Sequence, residues 1–338
     1  MLFGFDDGHE ELPGYIRCYI RFEMVGDGGL PVAFKAICYG IGMKETLGGR
    51  IMATLSIDPL HDDFGATITG IDLGASLSDE QVSVVRAAID DYSYLVFPEQ
   101  SLDDDKHLAF TRRLGEPEAN HIALGRDGVI NYFGTIGNVR PDGTVVGNDH
   151  SHTKFMSGNN MWHTDSSFRK VPSLVSIMYA YEVPEEGGHT QYVSSRAAYD
   201  ALPDATKETI DPLEVVHDYV FSRSKVAEVD PAHAASLPPI NQRLVRRNPG
   251  NGEKNYYVGS HARNIAGWGD GESRVLLDDL LDRATGPDHI HTQIWEPGQL
   301  VIWDNRCMLH RGTGFDADNY RHFMRQTRVA GAGPTLEE

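Results

Sequence analysis

Short alternations of apolar and polar positions run through most of this chain, and they predict many brief strands with a few helices among them. A strand reads from Ala66 to Ile71. Ser78-Asp79-Glu80-Gln81 then opens a helix, with Ser78 as N-cap and Gln81 three residues on in a capping-box pattern, and Val82, Val85, Ala88 and Ile89 recurring at helical spacing. Tyr94-Leu95-Val96-Phe97 reads as a buried strand stopped by Pro98. Asp103 to Leu114 is a second helix, with Leu108, Phe110 and Leu114 as its apolar positions and Gly115-Glu116-Pro117 as its stop. Residues 137–161 are rich in Gly, Asn, Asp, His and Ser and predict a long loop. Further on, strands are expected at 173–181, 254–258, 289–295, 299–303 and 322–329, and helices at 195–202, 204–210 and 273–284. Short strands punctuated by Gly and Pro predict a mostly β fold with flanking helices, a sandwich or jelly roll rather than alternating βαβ units.

Residues 1–51 break this rhythm. They hold ten of the 35 glycines and two of the three cysteines, without sustained periodicity. We expect them to be an extension upstream of a single functional domain over 52–338. The 338 residues, 40% hydrophobic and 23% charged, have ordinary globular composition. A net charge of −19 excludes a non-specific nucleic-acid binder, which needs a basic face. Three cysteines without a CxxC pair fit a reducing cytoplasm, and no run approaches the roughly 20 apolar residues of a membrane span.

The candidate chemistry centres on Trp162-His163-Thr164-Asp165. H-x-[D/E] alone decides little, because the chain contains it three times, at His9/Glu11, His61/Asp63 and His163/Asp165. Only the third stands between a bulky aromatic and a following apolar strand. If it lies on a strand, His163 and Asp165 face one side and reach one ion. A lone histidine, His310, ends the apolar run of Leu300–Trp303 and Met308–Leu309. Two histidines and one carboxylate are what a facial Fe(II) site needs. Arg321 and Arg325 follow eleven and fifteen residues after His310 and are expected on one face of the last strand. Two guanidinium forks there call for anions, either ligands or the chain's own carboxylates.

In the order Trp162-His163-x-Asp165, Gly187-Gly188-x-Thr190, Trp303-Asp304-Asn305-Arg306 to His310 and Arg321, the chain resembles the taurine/2,4-dichlorophenoxyacetate dioxygenase family. The stretches Ala198–Pro203, Leu237–Asn241 and Gly259-Ser260-His261-Ala262 bring it nearer the aryloxyalkanoate branch. The resemblance implies a double-stranded β-helix, with Fe(II) on His163, Asp165 and His310. It also implies 2-oxoglutarate on Arg321 and Thr190, dioxygen as cosubstrate, and stimulation by ascorbate. Arg325 matches the arginine that holds the substrate's anionic group, Asn159 an amide near the substrate, and His121 a position where substrate contacts vary between branches. His189 departs from the family, which usually has Asp there. The retained Asp165 implies hydroxylation, since halogenating relatives carry a small residue in its place. The expected activity is hydroxylation of an anionic small molecule beside a heteroatom, an aryloxyalkanoate giving a phenol and a 2-oxo acid. The expected assembly is a homo-oligomer. Two readings compete with this one: oxidation of taurine or another alkylsulfonate, and a non-catalytic metal-binding β-barrel with a sensing role. Phe133, Phe155, Met156, Trp162, Phe221 and Tyr257 are the apolar pocket candidates.

Overall fold

The computed structural model describes residues 55–120, 131–140 and 142–338. The expected extension over 1–51, the His9/Glu11 pair and His121 lie outside these residues. The first helix, Asp79–Tyr92, starts where the capping box places it. Ser78 Oγ accepts the Gln81 backbone N–H at 3.2 Å, and Gln81 Oε1 accepts the Ser78 N–H at 2.9 Å. Its buried stripe is the expected Val82, Val85, Ala88 and Ile89. The next helix, Asp104–Leu114, is capped by Asp103 and buries His107, Phe110, Thr111 and Leu114. Leu108 is only half-buried, so the inward stripe includes two polar residues that an apolar count passes over. Thr111 and His107 turn out to bond with Thr327 of the last strand.

Hydrogen-bonded neighbours form a seven-stranded sheet in the order Ser56–Pro59, Ala66–Thr69, Tyr94–Phe97, Leu300–Asp304, Ser173–Glu182, Phe323–Ala330 and Gly134–Gly137. Its pairings are antiparallel except between Ala66–Thr69 and Tyr94–Phe97. One face packs Ala66, Ile68, Leu95, Phe97, Ile177 and Ile302 against the two helices. The opposite face, through Tyr94, Met178, Val301, Trp303 and Met324, meets Tyr192 and Met308 of a three-stranded sheet. That second sheet runs His291–Gln293, Thr190–Ser194, Met308–Gly312. Its outer side packs Val193 and Leu309 against residues of the helices Ser195–Asp200, Asp204–Ile210 and Asp270–Ala284. The fold is thus mostly β with flanking helices, two sheets facing each other across an aromatic layer. Further antiparallel pairings join Ala262–Ile265, Glu214–His217 and Ile240–Arg243. No helix among the described residues is long and apolar enough to cross a membrane.

Two expectations change. Within 137–161 lie a six-residue helix, Ser151–Met156, and a 3-10 turn, Ser157–Asn160, where a long loop was expected. His150 caps that helix with its ring Nδ1, 3.1 Å from the His152 N–H, so polar residues here serve the backbone. The strands Thr190–Ser194 and Met308–Gly312 were not foreseen, although they form most of the second sheet.

Candidate metal centre

His163 and His310 come together through the backbone. The two residues form an isolated antiparallel bridge, His163 N–H to His310 C=O at 3.0 Å and His310 N–H to His163 C=O at 2.8 Å. Residues paired this way project their side chains to the same face. The imidazole centroids lie 4.2 Å apart. Asp165 was expected beside His163 on a strand; instead a turn begins at Asp165, just past the bridge, and the next residue, Ser166, takes a left-handed φ of 55°. Asp165 Oδ1 lies 3.8 Å from His163 Nε2 and 3.9 Å from His310 Nε2. Among the described residues this is the only trio of His, Cys, Asp or Glu side chains so gathered, its donor atoms within 4.8 Å of one another. The decoy pair is resolved as well, for Asp63 pairs with His289 at 3.1 Å. The His163 backbone needs a glycine behind it. Gly259 has φ 121°, and a Cβ there would sit 3.1 Å from Trp162 O and 3.2 Å from His163 Cα.

The protonation states suit a cation. His163 Nδ1 lies 2.8 Å from the Met161 carbonyl, to which it donates, leaving the Nε2 lone pair toward Asp165. Burial lowers the pKa of His163, and burial with the neighbouring His163 pushes His310 down to about 3. Burial alone would raise the pKa of Asp165, but His310, Arg328, His163 and the Ser176 hydroxyl together hold it well below the usual carboxylate range. At neutral pH the trio is two neutral imidazoles and one carboxylate. Two buried imidazoles and a part-buried carboxylate, these groups fit a divalent iron on one face and leave other positions open.

The carboxylate is aimed by residues that the sequence reading passed over. Asp165 Oδ2 accepts from Ser176 Oγ at 2.6 Å and Gln326 Nε2 at 2.7 Å, which leaves Oδ1 for the ion. Asn305 Nδ2 donates to Ser176 Oγ at 2.9 Å, and Thr164 Oγ1 donates to the Asn305 carbonyl at 2.7 Å. Gln326 Oε1 accepts from Arg328 Nη1 at 3.2 Å, and Arg328 Nε in turn meets buried Glu118 at 3.0 Å. Ser176→Ala should weaken Fe(II) or Co(II) binding by about 10- to 100-fold, the usual cost of losing a partner that orients a ligand. Titration with Co(II) followed by its absorption checks this, and an unchanged Kd would remove Ser176 from the site.

Around the trio, Trp303 lies 4.8 Å from the His310 ring and Tyr192 stacks at 5.9 Å. His261 faces His163 edge-on at 6.2 Å, its Nδ1 2.7 Å from Ser222 Oγ. Thr190 stands in the second sheet, where its Oγ1 accepts the Trp295 indole N–H at 3.0 Å. The arginines are placed otherwise than expected. Arg321 lies before the last strand, half exposed, and its Nε meets Glu182 at 2.5 Å. Arg325 is on the strand but meets Asp104 at 2.6 Å and lies over the Phe133 ring, 4.6 Å from its centroid. Each guanidinium is matched by one of the chain's own carboxylates, and neither has a hydrogen bond to the trio. Asn159 Oδ1 accepts from Arg223 Nη2 at 2.7 Å. Asn305 stood in the Trp303–Arg306 motif without an assigned role, while Glu118, Ser176, Gln326 and Arg328 carry no motif and only their contacts reveal them.

With this geometry in hand, the chain was compared with known proteins. Residues 56–327 match the model of the family described as taurine catabolism dioxygenase TauD, TfdA family. An α-ketoglutarate-dependent 2,4-dichlorophenoxyacetate dioxygenase of Cupriavidus pinatubonensis is 36% identical over 277 residues, 80% of this chain and 96% of the relative. An (S)-phenoxypropionate/α-ketoglutarate-dioxygenase of Sphingobium herbicidovorans is 36% identical over 285 residues, 81% of this chain and 94% of the relative. The solved structure of AAD-2 in complex with Mn(II) and N-oxalylglycine superposes with a TM-score of 0.77 at 35% identity, covering 84% of this chain and all of the other.

Proposed function

Because the chain belongs to the taurine catabolism dioxygenase TauD, TfdA family, we propose that this Fe(II)- and 2-oxoglutarate-dependent dioxygenase hydroxylates an aryloxyalkanoate at the carbon beside the ether oxygen. The product hemiacetal collapses to a phenol and glyoxylate, or another 2-oxo acid where the side chain is longer. The observation that carries the chemistry is the gathered His163, Asp165 and His310, with a carboxylate already oriented for one ion. The substrate class rests on likeness to relatives named for phenoxy acids. In that family context we also read the two facing sheets as the halves of a double-stranded β-helix. Residues 1–51 we place outside the dioxygenase domain, which accords with a family match beginning at residue 56. A cytoplasmic homo-oligomer remains our expectation, the first part from the cysteine usage and the second from the resemblance.

Iron(II), 2-oxoglutarate and dioxygen supply the oxidation, with succinate and CO2 as coproducts and one oxygen atom inserted into the substrate C–H bond. The protein supplies position and charge. His163 Nε2, His310 Nε2 and Asp165 Oδ1 would hold the iron. Ser176 and Gln326 keep the second carboxylate oxygen occupied, so Asp165 offers one donor rather than two. Trp303 and Tyr192 wall the His310 side with aromatic surface and keep water from it. For the keto acid we propose Thr190 and Arg321, and for the substrate Arg325, Asn159 and His121. Arg321 and Arg325 take these roles by exchanging the carboxylates of Glu182 and Asp104 for those of the ligands. A carboxylate matches each guanidinium fork, so one acid can take the place of another there.

The test is turnover. Protein supplied with Fe(II), 2-oxoglutarate and ascorbate is offered a panel of aryloxyalkanoates and alkylsulfonates, and succinate is measured for each. Succinate above the substrate-free background is expected with phenoxy acids, together with free phenol. Release only with sulfonates would replace this substrate class by the taurine-type one.

A further inference from the structure

The turn that begins at Asp165 is held from two sides. It runs over Asp165–Phe168 and is closed by the Arg169 N–H, which donates to the Ser166 carbonyl at 2.9 Å. On one side Glu118 accepts from Ser166 Oγ at 2.7 Å and pairs with Arg169 at 3.2 Å. The other side rests on Gln242, a wholly buried side chain of the strand Ile240–Arg243, which lies at the edge of its sheet. Gln242 Nε2 donates to the Ser167 carbonyl at 2.8 Å and to the Arg169 carbonyl at 2.7 Å. Both amide protons are therefore committed to the turn that starts at a metal ligand.

The amide oxygen is fixed as well. Gln242 Oε1 accepts from Thr335 Oγ1 at 2.6 Å, and Thr335 Oγ1 itself accepts the Arg243 N–H at 3.0 Å. Because a backbone N–H can only donate, the chain has one direction, from Arg243 through the hydroxyl to the amide oxygen. The amide is thereby held with its two N–H groups toward the turn, and each bond polarises the next. Thr335 is fully buried and opens the 3-10 turn Thr335–Glu337. Residues 331–338 are tied down at both ends. The Gly331 N–H donates to the Pro172 carbonyl at 3.0 Å, and Glu338 takes two bonds from Arg246 at 2.5 and 3.0 Å. They form a strap beside the strand that carries Gln242.

A working site holds its groups within roughly 0.5 Å of the productive geometry. Ser176 and Gln326 aim the Asp165 carboxylate, but the turn places its backbone. Resting on the reading of the trio as the iron site, we propose that Gln242 is a positioning residue for Asp165 and that Thr335 sets its amide, so that the strap 331–338 helps to shape the metal centre. The competing account is a brace that adds stability and leaves the ion unaffected.

Co(II) titration followed by the visible absorption of the bound ion separates the two, with the thermal midpoint of the metal-free protein measured beside it. Thr335→Val keeps the volume and removes the hydroxyl. It should weaken Co(II) binding by about 10-fold, the lower end of what losing an outer partner of a metal ligand costs, and shift the Co(II) bands. Thr335→Ser should restore both. Gln242→Met should lose at least as much, and combining it with Thr335→Val should add nothing, since both act through one chain. A lowered midpoint with unchanged Co(II) affinity and bands would overturn the proposal in favour of the brace. So would losses that add in the double variant. If Gln242→Met does not fold, Thr335→Val against Thr335→Ser decides. A wild type that binds no Co(II) overturns both the trio and the proposal. One that binds Co(II) yet forms no succinate with any acid refutes the dioxygenase reading alone, and the Co(II) comparison still decides Gln242.

Discussion

Asp165→Ala abolishes substrate-dependent succinate formation, by more than about 100-fold. That bound follows from comparison with the outer groups, whose individual loss costs up to about that much in family-independent surveys of metal sites. Asp165 provides the only negative charge of the trio and its only oxygen donor. Removing it leaves two imidazoles, which bind iron less tightly and without charge neutralisation. The donors of Ser176 and Gln326 lose their acceptor at the same time. Thermal unfolding of the variant without metal should remain cooperative, so the loss is chemical rather than structural. Activity near the wild-type level in Asp165→Ala would refute the ligand assignment.

Glu118→Ala is expected to destabilise the protein by about 3–5 kcal/mol, the usual result of stripping one partner from a buried ion pair. Its carboxylate accepts Ser166 Oγ and Ser173 Oγ, each at 2.7 Å, and meets Arg328 at 3.0 Å and Arg169 at 3.2 Å. Glu118 and Arg328 are both buried. Without Glu118, Arg328 is left as an uncompensated cation beside Gln326. Since domains are stable by only about 5–15 kcal/mol, this is a large share. Urea unfolding reads it as a lower midpoint with an unchanged slope. Iron affinity should fall as well, because Arg328, which bonds Gln326, loses its anchor. An unfolding free energy within about 1 kcal/mol of wild type would show that Arg169 and Arg328 find other acceptors.

What the sequence disclosed depended on whether the signal was local. The Ser78/Gln81 box, the Tyr94–Phe97 strand and the long Ser173–Glu182 strand have periodicity or caps within a few residues, and each appears where it was expected. His163 and Asp165 stood out because an aromatic and a strand flank them, and His310 because an apolar run ends on it. Their assembly was legible, but its mechanism was not. A two-residue spacing implied one strand, whereas a backbone bridge joins His163 to His310 and a turn begins at Asp165. Arg321 and Arg325 show the converse. Spacing from His310 singled them out, but spacing carries no information about Glu182 or Asp104, which face them across the fold. The network of Glu118, Ser176 and Gln326, and the role of Asn305 within its motif, were invisible for the same reason, since ordinary polar residues acquire meaning only from partners distant in the chain. Thr190–Ser194 was missed because a five-residue strand opening on two polar residues has too little pattern to detect.

The bridge between His163 and His310 also bears on how the enzyme is born. A ribosome-bound chain that has passed Asp165 holds only two donors, and those two are not yet aimed, since Ser176, Asn305 and Gln326 are still to come. Strong capture of iron must wait until the second sheet and the final strand have closed around the bridge, a contact of long sequence separation and therefore late to form. Metal then stabilises the finished fold by binding it and not its precursors.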